Sequence, residues 1–318
     1  MGGVRLSNQV PYVDLTEVLN AQTQQDVDRA IQNTGMQQPV APNPGAQAAG
    51  KPLTPWRRIA LIDEIRGICV LAMVAFHTFF VLGSQFGVEW GLQAYGFFKP
   101  AQPAFAALFI LIAGFCARFS RDILKRGFLL AVVAAVISLI TVLLLPYLGF
   151  EDMRVWFGII HLLAASSLLF GIGRKIFNRI PALVGVVLCL ALFLFTAPVR
   201  NGYLSLLGFR VDLPEALYQT NALAFAGFGT PDFEAFDHFP LLPYLFIFLF
   251  GTFLGKMARN EKKRTEREKE NLPEFCYVKH MLFFGFLGRH ALPIYLLHIP
   301  VFYGLAYVTQ TLLSMGKP

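Results

Sequence analysis

The chain is organised as long apolar runs separated by short polar stretches, most of them basic. Runs of about 20 apolar residues match the thickness of a bilayer core when helical. The pattern predicts seven spans, at about Ile59–Leu82, Pro103–Phe119, Gly127–Leu148, Val155–Gly171, Ile180–Pro198, Leu241–Met257 and Ala291–Leu313. The fourth is short, and the start of the seventh is open toward earlier residues. Backbone groups in lipid must be satisfied within a segment, so the fold class is all-α, a polytopic membrane helix bundle.

Charge supports this and adds an orientation. Only 15% of residues are charged, against 55% hydrophobic, well below the usual quarter. The net charge of +7 is confined to alternate connections. Arg57 and Arg58 precede the first span, Arg118, Arg121, Lys125 and Arg126 fill the second connection, Arg174, Lys175 and Arg179 the fourth, and seven cations between Lys256 and Lys269 the sixth. The other connections carry only Lys99, Arg154, Arg200 and Arg210. The positive-inside rule therefore expects a cytoplasmic N-terminus and an external C-terminus. Such a placement belongs to a multi-pass protein of the plasma membrane, with the lipid bilayer and not nucleic acid as its surroundings. The run at 256–269 reads as a solvated loop near anionic lipid.

Residues 1–55 are rich in Gln, Asn, Pro, Gly and Ala and read as a disordered cytoplasmic tail, with 56–318 as the membrane domain. The tail lacks the pattern of a signal peptide, so the first span is expected to serve as the targeting signal. Cys69, Cys116 and Cys189 lie in spans and Cys276 in a cytoplasmic connection, which implies no disulfide framework. No CxxC or HExxH spacing supports a metal site.

Against this background the ionisable residues inside spans are informative, because each is costly there. The first span holds Asp63, Glu64, Arg66 and His77, the fourth His161 and the seventh His298; Asp237 and His238 precede the sixth. Eleven steps of a helix return to within about 20° of the start, so Arg66 and His77 share a face, and the rise puts them roughly 16 Å apart along the axis. Counted from span ends, His77 and His161 fall in an outer layer bordered by Asp237 and His238. Arg66 and His298 fall in an inner layer. Each has a plainer reading. Asp63 and Arg66 are three apart and suit a simple ion pair. His77 and His161 suit interhelical hydrogen bonds, His298 a kink beside Pro300, and His238 an exposed loop. Tyr295, Trp156 and Tyr244 read as interface or packing aromatics.

Asp63-Glu-Ile-Arg66-Gly with Met73-x-x-Phe-His77 resembles the first-helix signature of a bacterial membrane family grouped with the catalytic domain of heparan-α-glucosaminide N-acetyltransferase. Four further segments match in order: Phe109-Ile-Leu-Ile-Ala-Gly114-Phe, Phe157-Gly-Ile-Ile-His161-Leu, Asp237-His-Phe-Pro240-Leu-Leu-Pro243 with Gly251 and Gly255, and Gly288-Arg-His-Ala-Leu-Pro-Ile-Tyr295-Leu-Leu-His298-Ile-Pro300. The match runs from about residue 57 to 305. It departs at Ile299, where Gln is usual, and at His238, where an aromatic is usual. The Arg-x10-His spacing is similar to that of integral membrane acyltransferases that decorate surface polysaccharides.

The resemblance implies acyl transfer. An acyl group, acetyl in the first instance, would pass from cytoplasmic acyl-CoA to a hydroxyl or amine acceptor, a glycan by preference, on the outer face. Arg66, with His298 and Asp63, would hold the donor. His77 would act as general base or transient acyl carrier. His161 would orient His77 or donate to the oxyanion, and Asp237 would bind the acceptor or fix the tautomer of His161. The external stretch 199–239 is the expected place for the acceptor. Oligomeric state is open, a homo-oligomer included. A second reading is a proton- or anion-coupled transporter or flippase, which intramembrane Arg and His also suit. A retinal protein is excluded, because the seventh span has no lysine for a Schiff base.

Overall fold

The computed structural model describes residues 58–147, 154–233, 237–258 and 272–315. The expected tail at 1–55 and most of the basic run at 256–269 lie outside the described residues. We label the elements α1 (Ala60–Phe80), α2 (Glu89–Phe98), α3 (Gln102–Phe119), α4 (Ile123–Ser138), α5 (Ile159–Ile172), α6 (Ala182–Thr196), β1 (Tyr203–Leu206), β2 (Phe209–Asp212), α7 (Leu241–Ala258), α8 (Leu282–Arg289) and α9 (Ala291–Met315). Wider turns prolong α1 to Gln85 and α4 to Leu144.

Six helices among the described residues are long and apolar enough to cross a membrane. They are six of the seven expected runs. The fourth, α5, has 14 residues, about 21 Å of rise, short of a bilayer core of about 30 Å. It starts at Ile159, not Val155, because Val155 runs beside the end of α4: Ser138 Oγ donates to its carbonyl at 2.8 Å and its N–H donates to Thr141 Oγ1 at 3.2 Å.

The helices are joined by two close seams. In one, α3 packs on α7, and a Cβ at Gly114 would run into the carbonyl of Phe248. In the other, α1 packs on α8, where a Cβ at Gly67 would strike the carbonyl oxygen of Phe284 and one at Gly288 that of Asp63. Without a hydrophobic drive between helices in lipid, small residues are what allow backbones to approach this closely. Glu64, only 1% exposed, adds a polar clamp to the second seam: its Oε1 accepts from the N–H of His280 at 2.7 Å and of Met281 at 3.0 Å.

The span at the seventh run is Ala291–Thr309 within α9. α8 precedes it along the same side of α1, and only His290 separates α8 from α9. Pro293 explains the interruption, since it has no N–H to donate toward Arg289. Among the described residues one two-stranded sheet breaks the all-α pattern. β1 and β2 pair antiparallel, turning at Leu207 and Gly208, both with positive φ, as two-residue hairpins require.

Candidate active site

His77 lies 17 residues into α1 and His298 lies 16 residues from the start of α8, so the seam at Gly67 and Gly288 brings them to one depth of about 24–26 Å. Nδ1 of His77 stands 2.9 Å from Nε2 of His298. Both are buried, at 6% and 5% exposure. This corrects the expected layering. His298 does not share the level of Arg66, because counting from Ala291 omits the whole of α8.

The hydrogen bonds fix the tautomers. The carbonyl of Tyr295 can only accept, so His298 Nδ1–H donates to it, at 2.6 Å. Nε2 of His298 then carries the lone pair and accepts Nδ1–H of His77. That leaves Nε2 as the basic nitrogen of His77. The same tyrosine reaches onward, its hydroxyl donating to Oδ2 of Asp237. Asp237 also accepts the N–H of Ile159 at 3.2 Å, in the first turn of α5, where a helix terminus favours negative charge. Burial raises the pKa of Asp237; the Tyr295 hydroxyl and the Ile159 N–H oppose that rise. Gly158 is glycine because a Cβ there would meet this carboxylate. One buried polar chain, His77–His298–Tyr295–Asp237, therefore ties α1, α9 and the start of α5 together.

His161 is not part of it. Its Nδ1 accepts the N–H of Gly158 at 3.2 Å, capping α5, and its Nε2 stands 3.0 Å from Ser138 Oγ. With the Ser138 proton directed to Val155, Nε2–H of His161 is the donor. Both ring nitrogens are engaged away from His77, so the expected pairing of His77 with His161 is not formed. Nor does Asp237 set the tautomer of His161; Gly158 and Ser138 do. Both the depth of His161 and its direction around the helix depend on where α5 begins: counted from Ile159 it lies in the first turn.

Arg66 lies at the other end of α1. Its Nη2 is 2.9 Å from Sγ of Cys116 and its Nη1 is 3.5 Å from Oδ1 of Asp63. Asp63 also receives Nε of Arg58 at 2.5 Å. The simple Asp63–Arg66 pair is therefore present, and Arg66 and His77 remain at opposite ends of one face. Tyr295 is the residue the sequence reading passed over. The available signal was its spacing, three before His298, which puts both on one face of the helix.

Two cavities meet at this chain. The larger, about 1350 Å³, opens on the His77 side and is walled by Lys99, Arg154, Trp156, Arg200, Phe225 and Asp232, with His77 and Asp237 at its floor. Asn221, Ala222, Ala224, Phe225 and Asp232 contribute much of one wall, so part of the stretch 199–239 borders this cavity. His238 is a partly buried wall residue, edge-on to Phe233 at 5.0 Å between ring centres, not an exposed loop residue. Burial first, and then the charge of Arg200, lower its pKa to about 4. The smaller cavity, about 120 Å³, is apolar and lies between α1 and α3.

A polytopic helix bundle with a buried polar chain bordering a large cavity defines an integral membrane protein whose buried polar groups gather at one level of its helices. The match to known families is more specific. Residues 58–300 match the family described as heparan-alpha-glucosaminide N-acetyltransferase, catalytic, and the chain belongs to that family. No curated protein and no solved structure matches it.

Proposed function

We propose that the protein is an integral membrane acyltransferase that moves a small acyl group, acetyl in the first instance, from acyl-CoA to a hydroxyl or amine acceptor. The observation that carries this reading is the chain His77–His298–Tyr295–Asp237 beneath the vestibule. It supplies a base whose tautomer is set by a partner, and that partner is itself held by a backbone carbonyl. This is the arrangement general-base catalysis needs.

The step is simple to balance. The acceptor oxygen or nitrogen attacks the thioester carbonyl as Nε2 of His77 takes its proton. The new C–O or C–N bond forms, the C–S bond breaks, and the proton passes from His77 to the departing thiolate. The same nitrogen serves if His77 carries the acyl group in between. His298 acts as the positioning residue, and Asp237 with Tyr295 holds it. His161 serves the site indirectly, by fixing the start of α5 under Asp237.

The distribution of basic residues supports a cytoplasmic Arg66 end and an external vestibule. Arg66, oriented by Asp63, would then meet the anionic part of a cytoplasmic donor. The vestibule would take the acceptor, and its size and mixture of aromatic and charged walls suit a glycan.

The test is acyl transfer by the purified protein, with radiolabelled acetyl-CoA and glycan or amine acceptors. Transfer by the wild type, lost in His77→Ala without loss of acetyl-CoA binding, is the expected result. Full transfer by His77→Ala, or substrate flux in vesicles without any donor, would overturn the reading.

A further inference from the structure

The reaction proposed above leaves one charge without a partner. As the acceptor attacks, the carbonyl oxygen of the thioester becomes an oxyanion, and donors aimed at it are usually the largest single contribution to such a reaction. His161 was the residue expected there, but it spends both ring nitrogens on Gly158 and Ser138.

The place where the oxyanion forms is closely bounded. The small cavity between α1 and α3 and the vestibule share five lining residues, Phe76, His77, Gln102, Asp237 and Phe239. These make the neck at which a donor passing along α1 from the Arg66 end meets an acceptor in the vestibule. The helix register agrees. α1 and α3 are consecutive spans packed side by side, so they run antiparallel. The lining extends from Cys69 to His77 on α1, about 12 Å, and from Phe109 back to Gln102 on α3, about 11 Å. Gln102 therefore stands at the level of His77.

Elimination leaves one donor at the neck. Phe76 and Phe239 have none. His77 gives Nδ1–H to His298 and works through the lone pair of Nε2. Asp237 is a carboxylate that already holds the Tyr295 hydroxyl and the Ile159 N–H, and its charge makes an unmet oxyanion costlier. The amide of Gln102 has no hydrogen-bond partner among the described residues, and its side chain is half-buried. Gln102 is also the first residue of α3, so the positive end of that helix dipole lies at the neck.

Resting on the acyltransferase reading, we infer that Gln102 is a catalytic residue, the donor that holds the oxyanion. Its side-chain N–H donates to the carbonyl oxygen while the acceptor attacks and Nε2 of His77 takes the acceptor proton. Gln102 itself gives up no proton. When the C–S bond breaks, the carbonyl re-forms and this hydrogen bond weakens. The role does not depend on acyl length and holds for acetyl.

The plainer alternative is a polar residue that only starts α3 near water. Gln102→Glu separates the two, because it keeps size and polarity but replaces the donor by an anion. The experiment is acetyl transfer by the purified full chain, read as kcat and as KM for acetyl-CoA, with melting temperature in detergent alongside. Gln102→Leu is expected to lower kcat by about 10²–10³-fold, the usual cost of one oxyanion donor, with KM little changed. Gln102→Glu should fall at least as far while melting like the wild type, and it stands in should Gln102→Leu not fold. Tyr95→Phe, on the vestibule wall, should keep its kcat. Wild-type kcat in Gln102→Glu overturns the inference, and so does a loss confined to KM, which would make Gln102 a binding residue only. Either result leaves the acyltransferase reading standing. Absence of both transfer and acetyl-CoA binding in the wild type overturns that reading itself.

Discussion

The imidazoles of His77 and His298 face each other at 2.9 Å, Nδ1 to Nε2, across 221 residues of chain. His298 cannot take a proton at Nδ1 from elsewhere, because that nitrogen already donates to the carbonyl of Tyr295. The pair is therefore directional: His298 accepts, His77 donates, and the lone pair of His77 is on Nε2.

This direction separates the two histidines in a mutation series. His77→Ala is expected to lower acyl transfer by about 10²–10⁴-fold, the usual contribution of a general base. His298→Ala leaves the base in place but frees its ring, so a smaller loss is expected, mainly in kcat. His298→Gln keeps an acceptor oxygen for His77 Nδ1–H and should recover part of it. Equal losses in His298→Ala and His77→Ala would show that His298 does more than position.

Asp237 and Tyr295 are expected to behave as one unit. Tyr295→Phe leaves Asp237 with one fewer donor, and Asp237→Ala strands the tyrosine hydroxyl; each should cost about 1–3 kcal/mol through a buried unmet partner. The double variant should cost less than the sum. A thermal-unfolding cycle in detergent checks this, and additive effects would count against the contact.

The seam at Gly288 makes a prediction about register. A methyl group there collides with the backbone of Asp63, while one at Gly96 meets nothing within 4 Å. Gly288→Ala should destabilise the protein by about 1–3 kcal/mol, the usual cost of overpacking, and should lower transfer by displacing His298 from His77. Gly96→Ala, on the outer face of α2, should leave both unchanged. Size-exclusion profiles and transfer rates of the two variants make the comparison.

His238 predicts a pH dependence. Burial, and then the charge of Arg200, holds its pKa at about 4, below the ordinary 6.5. The folded chain thus binds fewer protons than the unfolded one between these values, so stability falls as pH drops from 6.5 toward 4 and levels off below. His238→Gln should flatten part of this slope. Melting temperatures at several pH values from 4 to 7.5 test it, and identical slopes for both proteins would remove the assignment.

The sequence by itself determined the class of fold. Continuous apolar runs of about 20 residues point to helices, because a helix satisfies its backbone within the segment while barrel strands are shorter and alternate, and the spans at 103–119, 241–257 and most of 59–82 fall where the runs are. It also singled out His77, His298, Asp237 and Arg66, since ionisable residues stand out against Leu, Ile, Val and Phe. It did not determine which of them meet. Depth is a sum over residues, and the unrecognised α8 put His298 in the wrong layer, next to Arg66 when its partner is His77. Direction around a helix depends on its first residue and its neighbours, so His161 turned to Ser138 and Gly158. Tyr295 was hidden because an aromatic in a span has an ordinary use in packing. The pairing of His77 with His298 rests on how closely Gly67 and Gly288 let α1 and α8 approach. That is a contact between residues more than 200 positions apart, and only the tertiary structure fixes it.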